Sequence, residues 1–424
     1  MLSKFTSNKD KKGVNMAEIG NYVIYLIMIC AVIGAFASIR NHETGLGAEF
    51  MSGIYSIGPI FVPVAGIMAS IPYLSQFISA VFGPLFSAIG ADPAIAATTF
   101  IAVDMGGYQL ADNLAQSREG WIIAMVVGYM AGATIVFSIP VGLAMLKEAD
   151  HKYMALGVMA GILSVPVGVF VASLLIGISN PGVREIVSTN SESSLALALD
   201  AGTILINILP LIIVCISIAI GLKLFPSQMI RGFLVFGRTM DAVLKLVLVF
   251  SIVEYFTGVF TNVLGGWGFD PIIADEADMF RALEIAGYIG IMLSGAFPMV
   301  YMIKKYLAGP MTFFGNRLGM DTVGAAGLLA AAANILAMFH LIGDMKARDK
   351  VLCIAFAVCG AFMFGDHLAF TANFQPNMIL PILLGKLIGG AAGFVIALWI
   401  AVPAAKLLEQ DQVLEQQKNQ DVTV

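Results

Sequence analysis

Long apolar runs alternate with short polar stretches along the whole chain, and the runs are of membrane-crossing length. An α-helix needs ~20 predominantly apolar residues to cross the hydrocarbon core. Windows of that kind fall at 20–39, 56–80, 91–110, 121–146, 153–178 and 201–225, and again at 239–262, 283–305, 321–342, 350–372 and 377–402. That is about eleven spans. The runs are apolar throughout rather than alternating, which excludes an outer-membrane barrel. The pattern predicts an all-α, polytopic inner-membrane transporter with broken helices.

One window is interrupted in its middle. Within Phe362-Met-Phe-Gly-Asp-His-Leu-Ala-Phe-Thr-Ala-Asn373, Asp366 and His367 stand side by side after Gly365, with apolar flanks on both sides. A charge at the centre of a membrane helix costs roughly 2.5–3.5 kcal/mol on insertion scales. Such a residue needs a partner or a wet cavity, so Gly365–Asn373 is read as part of a polar pocket at membrane depth.

A pattern recurs around these positions. Pro72, Gly83-Pro84 and Gly90-Ala-Asp92 return as Pro298, Gly309-Pro310 and Gly319-Met-Asp321, each time leading into an Ala-rich run. The reading is two halves of about five spans each, parallel if every span crosses once, with a binding site where they meet. The expected division is a polar tail to residue 19, a first repeat over 20–200, and a bridging span and linker over 201–238. A second repeat over 239–403 and a polar tail over 404–424 complete it. The alignment sets Asp104 opposite Asn334, and Val136–Pro140 opposite Phe364–Leu368. Gly106-Gly107, Pro140 and Gly365 are points where a span can unwind, and unwound backbone at that depth must line a cavity or be buried in protein.

Composition agrees with a membrane protein. Of 424 residues, 59% are hydrophobic and 12% charged, with a mean hydropathy of +0.89, against about 25% charged in soluble domains. The net charge of −5 includes no basic patch for nucleic acid. Basic residues mark alternate loops: the N-terminal lysines, Lys147 with Lys152, Lys223 with Arg231 and Arg238, and Lys304 with Lys305 and Arg317. Those loops are expected to be cytoplasmic. Lys346, Arg348 and Lys350 then fall on the opposite side, a conflict that points to a broken or re-entrant segment nearby. The acidic loop Asp270–Asp278 faces outward. The first fifteen residues read as a cytoplasmic tail or an upstream start, with Met16 as an alternative initiator. Cys30, Cys215, Cys353 and Cys359 lie in or beside apolar runs without metal-ligand spacing, and no second histidine accompanies His367, so neither metal nor cofactor is expected.

Asp366 and Asp104 are the candidate partners of a bound ammonium, and two such carboxylates in one pocket require a cation or a proton between them. His367 and Asn334 are candidate hydroxyl partners, against the plainer roles of packed histidine and interhelical hydrogen bond. Tyr108, Phe364, Phe370 and Phe374 are candidate ring faces for a cation, against ordinary core packing. Gly107 marks the flexible turn beside Asp104. Ser138, Thr134 and Gln109 are further polar candidates, while Asn373 and Asn377 suit caps. No P-loop, hydrolase triad or nucleotide domain is present.

Asp104-Met-Gly-Gly, Gly132-Ala-Thr-Ile-Val-Phe-Ser-Ile-Pro-Val-Gly142 and Ala155-Leu-Gly-Val-Met-Ala-Gly161 resemble the ethanolamine permeases of bacterial ethanolamine-utilisation operons. Gly365-Asp-His-Leu-Ala-Phe370 and Gly385-Lys-Leu-Ile-Gly-Gly390 carry the same resemblance, which extends from Met16 to about Pro403. The chain departs from that pattern at Ala-Asn334-Ile-Leu-Ala-Met-Phe, where paired asparagines and a nearby proline are expected. The resemblance implies a multi-pass inner-membrane importer of ethanolamine, in contact with lipid and with room for a homo-oligomer. A channel for small amines or neutral solutes is the alternative, a membrane-embedded enzyme a more remote one. A monocation entering an inside-negative cell gains ~2.3 kcal/mol per 100 mV, so facilitated diffusion would suffice.

Overall fold

The computed structural model describes residues 16–421, which are almost entirely helical. The first membrane-length helix is α1 (Met16–Arg40). It is followed by α2 (Gly45–Tyr55) and α3 (Ile57–Ala69), which run on through Ser56 as a second. Next come α4 (Ile71–Val81) and α5 (Gly83–Ile89), joined at a 54° bend. Two short helices, α6 (Ala94–Phe100) and α7 (Gly107–Leu114), precede α8 (Arg118–Val127). From α8 the chain passes through a π-helical stretch, Gly128–Ser138, into α9 (Ile139–Met145) without a break. Then follow α10 (His151–Ile162), α11 (Val165–Ser179), α12 (Ala201–Leu224), α13 (Pro226–Thr257), α14 (Val259–Leu264) and α15 (Ala282–Arg317). The last part holds α16 (Thr322–Ala333), α17 (Ile335–Ile342), α18 (Ala347–Gly360), α19 (Asp366–Phe374) and α20 (Ile379–Asp421).

Among the described residues seven helices are long and apolar enough to cross a membrane, eight if α4 with α5 is one span. The difference from eleven windows has a physical cause. The windows at 91–110, 321–342 and 350–372 are built of short helices with non-helical residues between them, reversing in the first two and only breaking in the third, and hydropathy alone cannot see either. The window at 239–262 lies on α13, where Asp241, Lys245 and Glu254 interrupt the apolar run. The window at 56–80 straddles the turn at Ser70 that separates α3 from α4. The break expected at Pro140 is absent: the helix widens into a π-helical stretch directly upstream of it and continues through Pro140.

Hydrogen bonds sort the loops to two ends. Asp92 Oδ2 accepts from the backbone N–H of Gln116 and Ser117, at 2.9 and 3.1 Å. Glu119 Oε1 accepts from Ala198 N at 3.0 Å. These residues share one end with the loop 180–200 and with the acidic loop 270–278, whose Asp270 N donates to Ala69 O. At the other end Lys350 Nζ donates to Asp150 Oδ1 at 2.5 Å, and Asp321 N donates to Asp349 Oδ2 at 2.9 Å. Arg348 reaches the carbonyls of Leu318 and Gly319 there. The helix Arg118–Met145 joins Ser117 to the loop before Asp150, so the two ends are opposite.

Lys346, Arg348 and Lys350 therefore lie beside Lys147 and Lys152, and the conflict over their side disappears. The segments α6–α7 and α16–α17 each begin and finish at one end, so neither crosses. They are hairpins inserted from opposite ends. A further correction follows for α1: a Cβ on its Gly20 would lie 2.3 Å from Pro376 O, so α1 starts at the acidic end. Counting 91–110 as a crossing inverts everything before it. Lys4, Lys9, Lys11 and Lys12 lie outside the described residues.

The core beside the site is built on small residues. A Cβ on Gly385 would come within 2.4 Å of Ala172 Cβ, and one on Gly389 within 2.9 Å of Gly168 Cα. Close backbone approach of this kind supplies the dispersion contacts that replace a hydrophobic drive inside lipid. It holds α20 tightly on α11 and fixes where α20 carries Lys386.

Candidate functional site

The hairpin tips and one broken helix meet midway between the two ends. In the first hairpin α6 stops at Ile101, whose backbone is extended (φ −121°, ψ 128°), and a 3-10 turn, Val103–Met105, follows. Gly106 then takes φ 92°, a region closed to most side chains, and a Cβ there would also press Ile67 at 2.8 Å. Gly107 N donates to Ala102 O at 3.0 Å, closing the tip on which Asp104 stands. In the second hairpin α16 stops at Asn334, again extended (φ −155°, ψ 121°), and Asn334 Oδ1 caps α17 by accepting from Leu336 N at 2.9 Å.

The broken helix is α18–α19. Between Ala361 and Gly365 the chain leaves the helix, with Phe362 at φ 59°. The freed backbone is paired with the neighbouring hairpin: Phe362 N donates to Ala331 O at 3.2 Å and Phe364 N to Ala332 O at 3.0 Å. These bonds satisfy the last carbonyls of α16 as well, which is what allows both interruptions at membrane depth. Asp366 and His367 open α19 directly after them. In the first half the tip of α6 crosses the π-helical stretch instead, where a Cβ on Gly132 would lie 2.3 Å from Ile101 O.

The three interruptions enclose a cavity of about 260 Å³, lined by Ala102, Asp104, Met105, Asn334, Phe362, Asp366 and His367, with Pro59 and Pro63 of α3, Phe137 and Phe297. Four of the expected residues, Asp104, Asn334, Asp366 and His367, thus line the same cavity. Neither Asp104 nor Asp366 is in an ion pair among the described residues. His367 is buried, its Nδ1 has no hydrogen-bond partner, and its ring lies between Tyr129 at 5.0 Å and Phe362 at 5.2 Å. Two carboxylates outside any ion pair, in a cavity that Phe137, Phe297 and Phe362 also line, suit a small cation. The volume suits a small molecule.

The other expected residues are placed differently. Tyr108 is fully buried, stacked on Trp121 at 4.6 Å, with its hydroxyl accepting from Gln375 Nε2 at 2.9 Å. Phe370 packs among Tyr108, Tyr129 and Phe374. Phe364 contributes its backbone N–H to the break, and Gly107 its own to the tip. These residues support the wall. The rings that do line the cavity, Phe137, Phe297 and Phe362, were signalled only by lying beside Ser138, Pro298 and the Gly-Asp-His run.

Sequence reasoning also passed over Lys386. It is 1% exposed on α20, and its Nζ donates to Tyr129 O at 2.9 Å on the π-helical stretch. Tyr129 in turn shares a 2.5 Å hydrogen bond with Thr371 of α19, so Lys386 braces the frame behind His367. Burying an ammonium that no carboxylate touches carries a desolvation cost of several kcal/mol, which the field of Asp104 offsets only in part. Lys386→Met, of similar shape, is therefore expected to melt at an equal or higher temperature while changing transport. A clear fall in melting temperature would show the bond to Tyr129 to be worth more than that cost.

Access differs at the two ends. A neighbouring cavity of about 480 Å³ shares Pro59, Pro63, Met105 and Phe137 with the central one and continues along α9 and α13 past Arg238, Asp241 and Lys245. At the acidic end a cavity of about 430 Å³ shares no lining residue with it. The layer of Tyr108, Trp121, Phe370 and Phe374 packs at that side, and Gln375 joins it to Arg184 by bonds to both Arg184 N and Arg184 O. Arg184 itself donates to the carbonyls of Ser188, Ser191, Asn373 and Phe374.

Hairpins from opposite ends, a broken helix and an acidic cavity between them define a multi-pass membrane permease. The chain matches the model of the family described as "Ethanolamine utilisation protein, EutH" over residues 19–400, and it belongs to that family. It is 36% identical over 400 residues to a Listeria monocytogenes protein named "Probable ethanolamine permease EutH", covering 94% of this chain and 98% of that one. The Escherichia coli protein of the same name is 37% identical over 409 residues, covering 92% and 96%. A Bacillus subtilis protein named "Uncharacterized protein YxeR" is 31% identical over 396 residues, covering 93% and 98%. No solved structure matches the chain. The protein is a multi-pass component of the bacterial inner membrane.

Proposed function

We propose that the chain imports ethanolamine by alternating access around the central cavity. The observation that carries this reading is a cavity of about 260 Å³ with two carboxylates, Asp104 and Asp366, neither of which is in an ion pair among the described residues. At neutral pH ethanolamine is a small ammonium with one hydroxyl. Asp366 and Asp104 hold the ammonium, with the faces of Phe137, Phe297 and Phe362 around it. The unsatisfied Nδ1 of His367 and the amide of Asn334 receive the hydroxyl. The names of the relatives support the substrate.

The gathering of basic residues at one end makes that end cytoplasmic. The cavity then communicates inward and is closed outward by the Tyr108 layer. We read the two hairpins, one followed by a helix that widens into a π-helical stretch and the other by a broken helix, as inverted copies; the parallel arrangement required every span to cross once. Inverted repeats of this kind let one half rock against the other around a fixed site.

Uptake of labelled ethanolamine into proteoliposomes tests the proposal. An inside-negative potential of 100 mV is expected to raise accumulation about fifty-fold for a uniported monocation. Counterflow is expected too, because an alternating carrier exchanges internal for external substrate. Conduction without counterflow would favour a channel and sink the alternating cycle.

A further inference from the structure

The acidic-end cavity holds a second set of polar groups that the central site does not use. It measures about 430 Å³ and is lined by Gln109, Asp112, Asn113, Asp270, Asp278 and Arg281 among others. Gln109, Asp112 and Asn113 stand at i, i+3 and i+4 on α7, so one face of that eight-residue helix forms a wall of the cavity. The tip with Asp104 precedes the same helix, which makes α7 the partition between the two cavities.

Three features of this vestibule point to a ligand. Gln109 is 8% exposed, and both its amide oxygen and its amide nitrogen are buried without a partner. A buried amide with neither bond made is costly, and a hydroxyl group, which donates and accepts, satisfies both atoms at once. The carboxylates are also under-neutralised. Arg281 hydrogen-bonds Asp275 at 3.4 Å, and its guanidinium stands 3.9 Å from Asp270 and 3.7 Å from Asp278, the two that line the cavity. Asp112 is committed to Arg118 at 2.6 Å. Finally, burial raises the pKa of Asp270 against the pull of Arg281, and the neighbouring Asp278 and Asp275 add to the rise.

We propose that the vestibule is a second binding site, which captures small hydroxylated ammonium ions at the outer face before they reach the central cavity. Gln109 receives the hydroxyl; Asp270 and Asp278 receive the ammonium. The inference rests on the import of such ions and adds a site to it. Lines of negative charge in a walled cleft raise the local concentration of cations, and a preliminary site beside the closed aromatic layer places the ion where the layer opens.

Uptake kinetics in proteoliposomes bearing the full chain separate this site from the central one. Gln109→Met and Asp270→Asn are each expected to raise the KM for external ethanolamine about ten-fold, with the maximal rate little changed. For Gln109→Met, ethylamine, which lacks the hydroxyl, is expected to show no such rise; a merely structural role for Gln109 would shift both amines together. Asp270 lies on a half-exposed loop, so Asp270→Asn carries the test even where Gln109→Met folds poorly. Purified Asp366→Asn protein is expected to bind ethanolamine still in equilibrium dialysis, and to lose that binding when Asp270→Asn is added. Unchanged KM in both single variants, or no residual binding by folded Asp366→Asn protein, overturns the vestibule site. Wild-type transport by Asp366→Asn would instead overturn the central site.

Discussion

Asp366→Asn is expected to lower ethanolamine uptake by about a hundred-fold or more while leaving the melting temperature equal or higher, because two charges at ~4 Å interact by about 4 kcal/mol at an effective dielectric near 20. The carboxamide keeps the shape of the side chain and removes its charge. It also leaves the amino end of α19, with its free N–H groups and partial positive charge, facing the ammonium. Asp104 alone then remains on the opposite tip. The rise in melting temperature follows from the same physics: an unpaired carboxylate in a low-dielectric cavity is a cost to the empty protein. Asp366→Glu restores the charge with a longer reach and is expected to recover part of the rate. Full transport by Asp366→Asn, measured at equal protein density in the liposomes, would remove Asp366 from the site.

Gly132→Val is expected to lower the melting temperature sharply and to abolish uptake, since its Cβ would lie 2.3 Å from Ile101 O and 2.6 Å from Thr98 O. Both obstacles are backbone atoms of the first hairpin, so no side-chain rotation relieves them. Overpacking of a rigid core costs ~1–3 kcal/mol, and here the strain falls on the two interruptions that shape the cavity. Gly232→Val is the matching control, because a Cβ at Gly232 meets nothing within 4 Å. Equal melting curves for the two variants would show that the hairpin tolerates displacement from the π-helical stretch.

Part of the candidate site was legible in the residues themselves. Asp366 and Asp104 are conspicuous because charge amid apolar sequence is expensive, and the expense narrows the explanations to a cavity or a partner. The recurrence of proline and Gly-Pro led to Asn334, which does line the cavity beside them. Tyr108 and Phe370 show the limit of the same reasoning. An aromatic residue near a charge reads identically whether its face meets a ligand or another ring, and here both are buried against Trp121, Tyr129 and Phe374. Lys386 was hidden for a related reason. A single lysine in a Gly-rich helix is ordinary in sequence, and only packing shows that it lies 1% exposed behind Tyr129.

The sequence by itself determined that this chain is a bundle of membrane-length helices with acidic residues at depth, because hydropathy and the cost of charge in hydrocarbon are properties of residues taken one at a time. Only the tertiary structure decided which runs cross and which turn back. A reversal at Asn334 or Ala102 leaves local composition unchanged, and it shows itself only when Asp321 bonds to Asp349, Asp92 to Ser117, and Lys350 to Asp150. Those contacts join residues far apart along the chain, where periodicity carries no information. They set the two hairpin tips face to face around Asp366.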